Sequence, residues 1–338
     1  MPRRSVLLLL LPLALLPAKG CTEALPDQPA YAVRDPARWP FATDSPWNHP
    51  IGSDAHFTNI HSPGLDRHGP ANINVTAWSH PVFLATTGDP QRTIILRDGG
   101  PPQATIHVPA TATPDPRADG HLHIVDPGRR LVTELFQADL SQPGKIIAHS
   151  AIQNALTGPG IYDTWHGVRA YGGSAIGGLI RQDELTRGIR HALAIAVRRA
   201  ALNKNGPDGR PFVWPASAAD NGWETTYAER GNLYMGTLLA IPADLPLWQT
   251  SLPRSGPLYQ LARALQDYGA YITDAADANL CFYAEPAAAR EIPEDFADQL
   301  SAILPLLQVV TNNNPTSIGG GGIPRTSFAP PLSVKGIE

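Results

Sequence analysis

Proline and glycine interrupt this chain so often that few long helices or strands fit between them. The 338 residues include 35 prolines and 30 glycines, a density typical of many short strands joined by turns. Between residues 41 and 125, β-rich runs such as "QRTIILRD" and "QATIHVPA" alternate with turn formers, the pattern of an all-β sandwich or barrel. We therefore expect a mainly β protein with a few helices: an antiparallel, jelly-roll-like β-sandwich forming a single large domain.

The N-terminal residues predict export. Residues 1–20 join a basic start to the apolar run "SVLLLLLPLALLP" and end in small residues, which is the pattern of a cleaved signal peptide too short to span a bilayer. Cys21 follows directly and suggests a lipoprotein, with simple secretion as the alternative. The expected locations are the periplasm, the outer membrane or the extracellular space. The membrane would be contacted only through a lipid on Cys21.

Composition shifts divide the remaining chain into three parts. Residues 21–39 predict an extended tether, residues 40–312 the β-sandwich domain with its helices, and residues 313–338 a flexible tail, because "NNNPTSIGGGG" lacks apolar periodicity. "GPLYQLARALQDYG" has apolar residues at helical spacing and a glycine, Gly269, at the capping position. It is the clearest predicted helix.

The segment after Asp183 allows two interpretations. A short helix closed by Gly188 and followed by a strand in "RHALAIAV" is one of them. A continuous helix from Asp183 to Asn203 is the other, because alanine and leucine favour it and only Gly188 opposes it.

Composition excludes several function classes. Charged residues make up 17% of the chain and the net charge is −4, so clustered cations for nucleic-acid binding are missing from the sequence. Two cysteines exclude a disulfide scaffold and a cysteine-based zinc site. No G-x-S-x-G elbow occurs, which disfavours a serine hydrolase, and the glycine pairs lack the Lys-Ser/Thr of a phosphate-binding loop. We expect no cofactor.

The strongest chemical hint is the stretch "DGHLHIVDPGRRLVTELF". Its two β-rich runs flank a four-residue turn, which predicts a hairpin with His123 opposite Glu134 and His121 opposite Phe136. Alternation then places His121, His123 and Glu134 on one face of the sheet. Imidazoles beside a carboxylate can transfer protons near neutral pH. The alternatives are a metal site of the His-x-His type, or a solvent-facing strand pair with an ordinary His–Glu contact.

A second candidate region is the glycine-rich loop "YDTWHGVRAYGG". It interleaves aromatic rings, which stack on sugar rings, with groups that hydrogen-bond hydroxyls or a uronate carboxylate. A loop pinned by buried aromatic residues is the alternative. The predicted substrate-binding residues are Arg169, Arg181, Tyr162, Trp165, His166 and Tyr171.

Cleavage of a glycosidic bond needs two carboxyl groups that meet across a cleft. Sequence spacing does not show which two meet. The candidates are Glu134, Asp126, Asp163, Asp183 and Asp274. His191 lies amid apolar residues, where a hydrogen-bonded core histidine is the alternative to a catalytic one.

Several blocks in order resemble a broad family of exported bacterial proteins, most of them without an assigned function. "PFATDSPWNHPIG" resembles the opening block, "HLHIVDPGRRLVTELFQA" a His-x4-Asp segment with a Glu-Leu-aromatic strand, and "GGLIRQDELTRGIRHALAIAV" the next block. His123 stands where the family usually has an apolar residue, which favours His121 over a His-x-His metal site. The resemblance spans residues 40–312 and implies one folded unit. It implies no activity.

These observations predict an exported enzyme that acts on a polysaccharide or oligosaccharide, either a glycoside hydrolase or a polysaccharide lyase. No metal is assigned to it. The predicted catalytic residues are Glu134, His121, Asp126 and His191. The alternative is a non-catalytic carbohydrate-binding protein or a cell-envelope surface lipoprotein.

Overall fold

A computed structural model describes residues 33–333 of the chain. The predicted signal peptide, Cys21, most of the predicted tether and the last five residues lie outside the described residues. The strands are β1 (Phe57–Asn59), β2 (Ala71–Asn74), β3 (Val82–Leu84), β4 (Gln91–Leu96), β5 (Ala104–His107), β6 (Leu122–Val125), β7 (Leu131–Phe136), β8 (Lys145–Ala148), β9 (Ser150–Ala155), β10 (Leu193–Arg198), β11 (Leu238–Ala240), β12 (Ala270–Ala276), β13 (Leu280–Tyr283) and β14 (Gln308–Val310).

The helices are short. The α-helices are α1 (Glu184–Arg187), α2 (Trp223–Thr226), α3 (Pro257–Asp267) and α4 (Phe296–Leu300). Single 3₁₀ turns lie at Arg199–Ala201, Leu247–Gln249, Pro286–Glu291, Leu304–Leu306 and Ile318–Gly320. The prediction of a mainly β protein with a few helices is confirmed. Within residues 33–333, no helix has the length and apolar content needed to cross a membrane.

Two local predictions are resolved by glycines with positive φ. Gly188 (φ 106°) closes α1, and β10 follows four residues later, so the short helix followed by a strand is confirmed and the continuous helix is wrong. Gly269 (φ 77°) ends α3, and its N–H donates to the carbonyl of Ala264 at 3.0 Å. This left-handed glycine is the predicted cap, because its N–H turns back to the last turn of the helix, where the Ala264 carbonyl also accepts the N–H of Tyr268 at 2.8 Å.

Three sheets carry the strands. The largest has the order β1-β14-β11-β12-β10-β13-β2, the second β3-β6-β7-β9 and the third β5-β4-β8. β10 lies near the middle of the largest sheet, parallel to β12 and antiparallel to β13. Its run "LAIAVR" is buried except at the end, as expected for a strand covered on both faces. Four strand pairs are parallel (β3–β6, β4–β8, β10–β12 and β13–β2), and the jelly-roll-like sandwich stays a prediction.

The second sheet contributes to two cores, one from each face. Leu122, Ile124 and Leu135 pack with residues of the third sheet in a small core. Val125 and Val132 belong instead to the main core, together with the strands of the largest sheet. Since successive side chains of a strand point to opposite faces, the residues that alternate with Leu122 and Ile124 face the main core.

The predicted flexible tail differs from the structure as far as Ser333. Isolated bridges join Gly52 to Pro324 and Arg34 to Leu332, so residues 313–333 pack along the start of the domain. The part of the predicted tether that is described is fixed as well, because the buried Arg34 guanidinium donates to the carbonyls of Trp39, Pro40 and Phe41. A glycine run with little periodicity suggested disorder. In the fold these glycines adopt positive φ. Gly319 and Gly320 lie close to the backbone of Pro50 and Ala55, and the next two glycines lie close to side chains.

Candidate functional site

The hairpin has the predicted register. His123 lies opposite Glu134, and Leu122 lies opposite Leu135. The His121 and Phe136 rings contact each other with centroids 5.3 Å apart, consistent with their predicted pairing. His121, His123 and Glu134 therefore share one face of the second sheet, the face toward the main core.

This face is dry. Glu134 and His123 are 0% exposed and His121 is 3% exposed, so the solvent-facing strand pair is wrong and these side chains do not meet a substrate in solution. The glycine-rich segment covers Glu134, because one carboxylate oxygen accepts the hydroxyl of Ser174 and the other accepts the N–H of Ala175 at 2.8 Å. Burial raises the pKa of Glu134, although these hydrogen bonds oppose the shift. In this position Glu134 holds the segment at Ser174 and Ala175 and is out of reach of a substrate for proton transfer.

A third histidine joins the two of the hairpin. β3 runs parallel to β6 with Val82 level with His123, which places His80 beside His121 on the same face. The His80 and His121 ring centroids are 4.3 Å apart, and Nδ1 of His80 lies 2.9 Å from Nε2 of His123. We call His80, His121 and His123 the histidine cluster. His80 has no local sequence signal, because only the parallel pairing of β3 with β6 brings it to the hairpin.

The histidine cluster is built of neutral rings. Burial lowers the pKa of all three, and the positive charge of Arg169 lowers it further, bringing His123 to about 3. Their possible ligand atoms lie within 4.8 Å of one another. Neutral imidazoles this close together are the part of residues 33–333 that could hold a metal ion.

Arg169 connects the histidine cluster to carboxylates nearer the surface. Its guanidinium lies over the Tyr283 ring, 3.6 Å from the centroid, and forms an ion pair with Asp274 at 3.3 Å. Arg169 is 4% exposed, so this predicted substrate-binding residue reaches the interior instead of the solvent. Burial raises the pKa of the half-buried Asp119, the negative charge of Asp274 raises it further, and Arg169 opposes both effects.

A polar cavity of about 400 Å³ opens beside Asp119. Ala118 and Gly120, its two neighbours in the chain, line the cavity together with Arg97, Arg117 and Gln137. The loop that forms the wall is held by Asp115, whose carboxylate accepts the backbone N–H groups of Trp78, Ser79 and Arg117. The volume of the cavity falls within the range of small-molecule sites.

Three further predicted residues have structural partners in the fold. Asp126 accepts the N–H groups of Gly128, Arg130 and Leu131 and so closes the hairpin turn. His191 is hydrogen-bonded to Glu184 at 3.1 Å and to the carbonyl of Ala192 at 2.8 Å. It is therefore a hydrogen-bonded core histidine, the alternative to a catalytic one. Arg181 forms a buried ion pair with Glu285 at 2.9 Å. None of the three lines the cavity.

The aromatic loop is divided between surface and core. Trp165 is 53% exposed. Tyr162 donates its hydroxyl to Asn154 at 2.6 Å, and its ring contacts that of His166 with centroids 4.4 Å apart. Tyr171 is buried and donates to the carbonyl of Ser174 at 2.7 Å. Trp165, Tyr162 and His166 therefore remain available to a ligand, whereas Tyr171 is a core residue.

Comparison with protein-family models, with curated proteins and with solved structures found no match to this chain.

Proposed function

We propose that the protein is an exported polysaccharide-active enzyme, a glycoside hydrolase or polysaccharide lyase, whose acid/base residues are Asp119 and Asp274. The supporting observation is that the negative charges of both carboxyls act on one buried arginine, Arg169, and that the chain neighbours of Asp119, Ala118 and Gly120, line a polar cavity. We call Asp119 and Asp274 the acidic pair. It replaces Glu134 and His121, which are buried beneath the glycine-rich loop and the sheets.

The two members of the acidic pair have different surroundings. The raised pKa of Asp119 makes it the proton donor toward a leaving-group oxygen. Asp274 forms an ion pair with Arg169 at 3.3 Å, and we assign it the role of base or nucleophile. Glycosidic cleavage uses two carboxyl groups with such different roles.

The cavity favours an acidic polysaccharide. Arg97 and Arg117 both line it, whereas the carboxylate of Asp115 is taken up by backbone N–H groups. Guanidinium groups bind carboxylates through paired hydrogen bonds. A uronate-containing chain therefore suits this surface, and neutralising its carboxylate would also serve a lyase.

Replacing either member of the acidic pair is expected to abolish cleavage. Asp119→Asn and Asp274→Asn should each lower kcat by about 100-fold to 10,000-fold, the usual contribution of a positioned acid or base. Activity of the unaltered protein should fall as the pH rises through the pKa of Asp119, because a general acid must be protonated. The measurement is a screen of uronate-containing polysaccharides by reducing-sugar release, for a hydrolase, and by ultraviolet absorbance of unsaturated ends, for a lyase.

Two controls separate this assignment from others. Asp98→Asn changes an exposed carboxylate that is not among the charges acting on Arg169, and it should keep full activity. Glu134→Gln should also keep it. Loss of cleavage in Glu134→Gln together with full activity in Asp119→Asn would contradict the acidic pair.

A non-catalytic carbohydrate-binding protein is the second candidate, and the exposed ring of Trp165 favours it. An indole face at the surface stacks on sugar rings without any need for paired acids. Binding of the protein to immobilised glycans without release of either product would support this candidate and overturn the enzymatic proposal.

A further inference from the structure

We propose that the histidine cluster binds one transition-metal ion of the zinc type. His80 precedes β3, His121 precedes β6, and His123 lies within β6. Paired strands thus hold the three rings on one face of the second sheet. One possible ligand atom from each lies within 4.8 Å of the other two. Three imidazoles from a rigid sheet form the usual donor set of a three-histidine metal site.

The second observation is that each ring has a nitrogen without a partner. Nε2 of His80, Nδ1 of His121 and Nδ1 of His123 are buried and lack a hydrogen-bond partner among the described residues. The residues themselves are 0%, 3% and 0% exposed. Buried polar atoms are almost always satisfied, so three orphaned nitrogens in one cluster require an explanation. A cation bound by one nitrogen of each ring would give the cluster the partner that it lacks. Because Nδ1 of His80 and Nε2 of His123 share a proton at 2.9 Å, the ring that accepts this bond has its own N–H at the orphaned nitrogen, and it must change tautomer to bind the ion through that atom.

The surroundings bear on which ion is bound. Arg169 places a positive charge near the cluster, which opposes a cation, but Asp274 pairs with that charge at 3.3 Å. Nitrogen-only donors disfavour Mg²⁺ and Ca²⁺, which prefer oxygen ligands. The same donors suit Zn²⁺, Co²⁺, Ni²⁺ and Cu²⁺. This inference does not depend on the acidic pair, since it concerns binding alone.

The test is a titration of the full chain with Co²⁺ after exhaustive dialysis against a chelator. We expect one equivalent to bind with the visible absorption of a cobalt–imidazole complex, and one equivalent of Zn²⁺ to displace it. His80→Gln and His123→Gln should each weaken binding at least about 100-fold, since each removes a direct ligand. His149→Gln removes an exposed imidazole and should leave the titration unchanged.

A second measurement covers variants that fail to fold. Crystals of the unaltered protein grown with Zn²⁺ should show anomalous scattering at the zinc edge within bonding distance of all three rings. No stoichiometric binding, an ion located at other residues, or loss of binding in His149→Gln would overturn the proposal. A melting temperature raised by phosphate or acetate but not by Zn²⁺ would overturn it as well, because the cluster with Arg169 would then be an anion site.

Discussion

Gly178→Ala is expected to destabilise the protein by about 4 kcal/mol, whereas Gly209→Ala should cost only about 1 kcal/mol. Both glycines have nearly the same left-handed backbone, with φ 69° and 71°. An alanine at either position would have the same unfavourable left-handed backbone conformation. Only at Gly178 does the new methyl group collide with fixed atoms.

The collision at Gly178 involves backbone and a buried ring. A Cβ there would lie 2.4 Å from the nitrogen of Ala194 and 2.6 Å from the Trp47 ring, while at Gly209 it meets nothing within 4 Å. Ala194 cannot retreat easily, because its N–H donates to the Gly178 carbonyl at 2.8 Å and it lies in the central strand β10. Trp47 is 1% exposed, and overpacking at such a site costs about 1–3 kcal/mol beyond strain.

Urea denaturation of the two variants measures the difference directly. Equal losses of unfolding free energy in both would contradict the close packing of the Gly178 segment against Trp47 and β10. Gly178 lies just after Ser174 and Ala175, the residues that cover Glu134.

The second large effect concerns Glu134 itself. Glu134→Ala should lower the free energy of unfolding by about 3 kcal/mol, because the Ser174 hydroxyl and the Ala175 N–H would be buried without an acceptor beside a new void. Glu134→Gln should be at least as stable as the unaltered protein at pH 7. Its carbonyl oxygen can still accept the Ala175 N–H, and its amide can donate to the Ser174 oxygen.

The sign of the pH dependence follows from the raised pKa of Glu134. Above the unfolded pKa of about 4.3, the unfolded carboxyl releases its proton while the folded one retains it. Stability therefore falls as pH rises through the folded pKa. Glutamine does not titrate, so the advantage of Glu134→Gln should grow from pH 4.5 to pH 7 in parallel unfolding experiments. A glutamine variant as unstable as the alanine variant would mean that the ionised carboxylate is required.

Local features were predictable because their causes are local. The hairpin register depends on a four-residue turn between two alternating runs, and it places His123 opposite Glu134 as predicted. The α3 helix follows from apolar spacing and Gly269. The end of α1 follows from Gly188, once the strand that comes after it is recognised as a buried one.

Burial of the hairpin face was not predictable, because it depends on contacts between distant segments. Glu134 is covered by Ser174, 40 residues away. His80 reaches His123 only through a parallel strand pairing. Alternation shows which side chains share a face, but it does not show what lies over that face. For the same reason, the sequence could name Asp274 as a candidate carboxylate, but it could not show that Asp274 pairs with Arg169 or lies near Asp119.

The bridges between the two ends of the described domain have a consequence for its connectivity. The Ser333 N–H donates to the Arg34 carbonyl at 2.7 Å, so residues 34 and 333 are neighbours in space. A short linker between them would create a circular permutant, with new termini at Gly99 and Gly100, where an added side chain meets nothing within 4 Å. We expect that permutant to refold with every strand pairing intact, because the cut falls between β4 and β5 in an exposed turn. A melting temperature far below that of the original order would show that the β4–β5 connection is needed to bring those strands together.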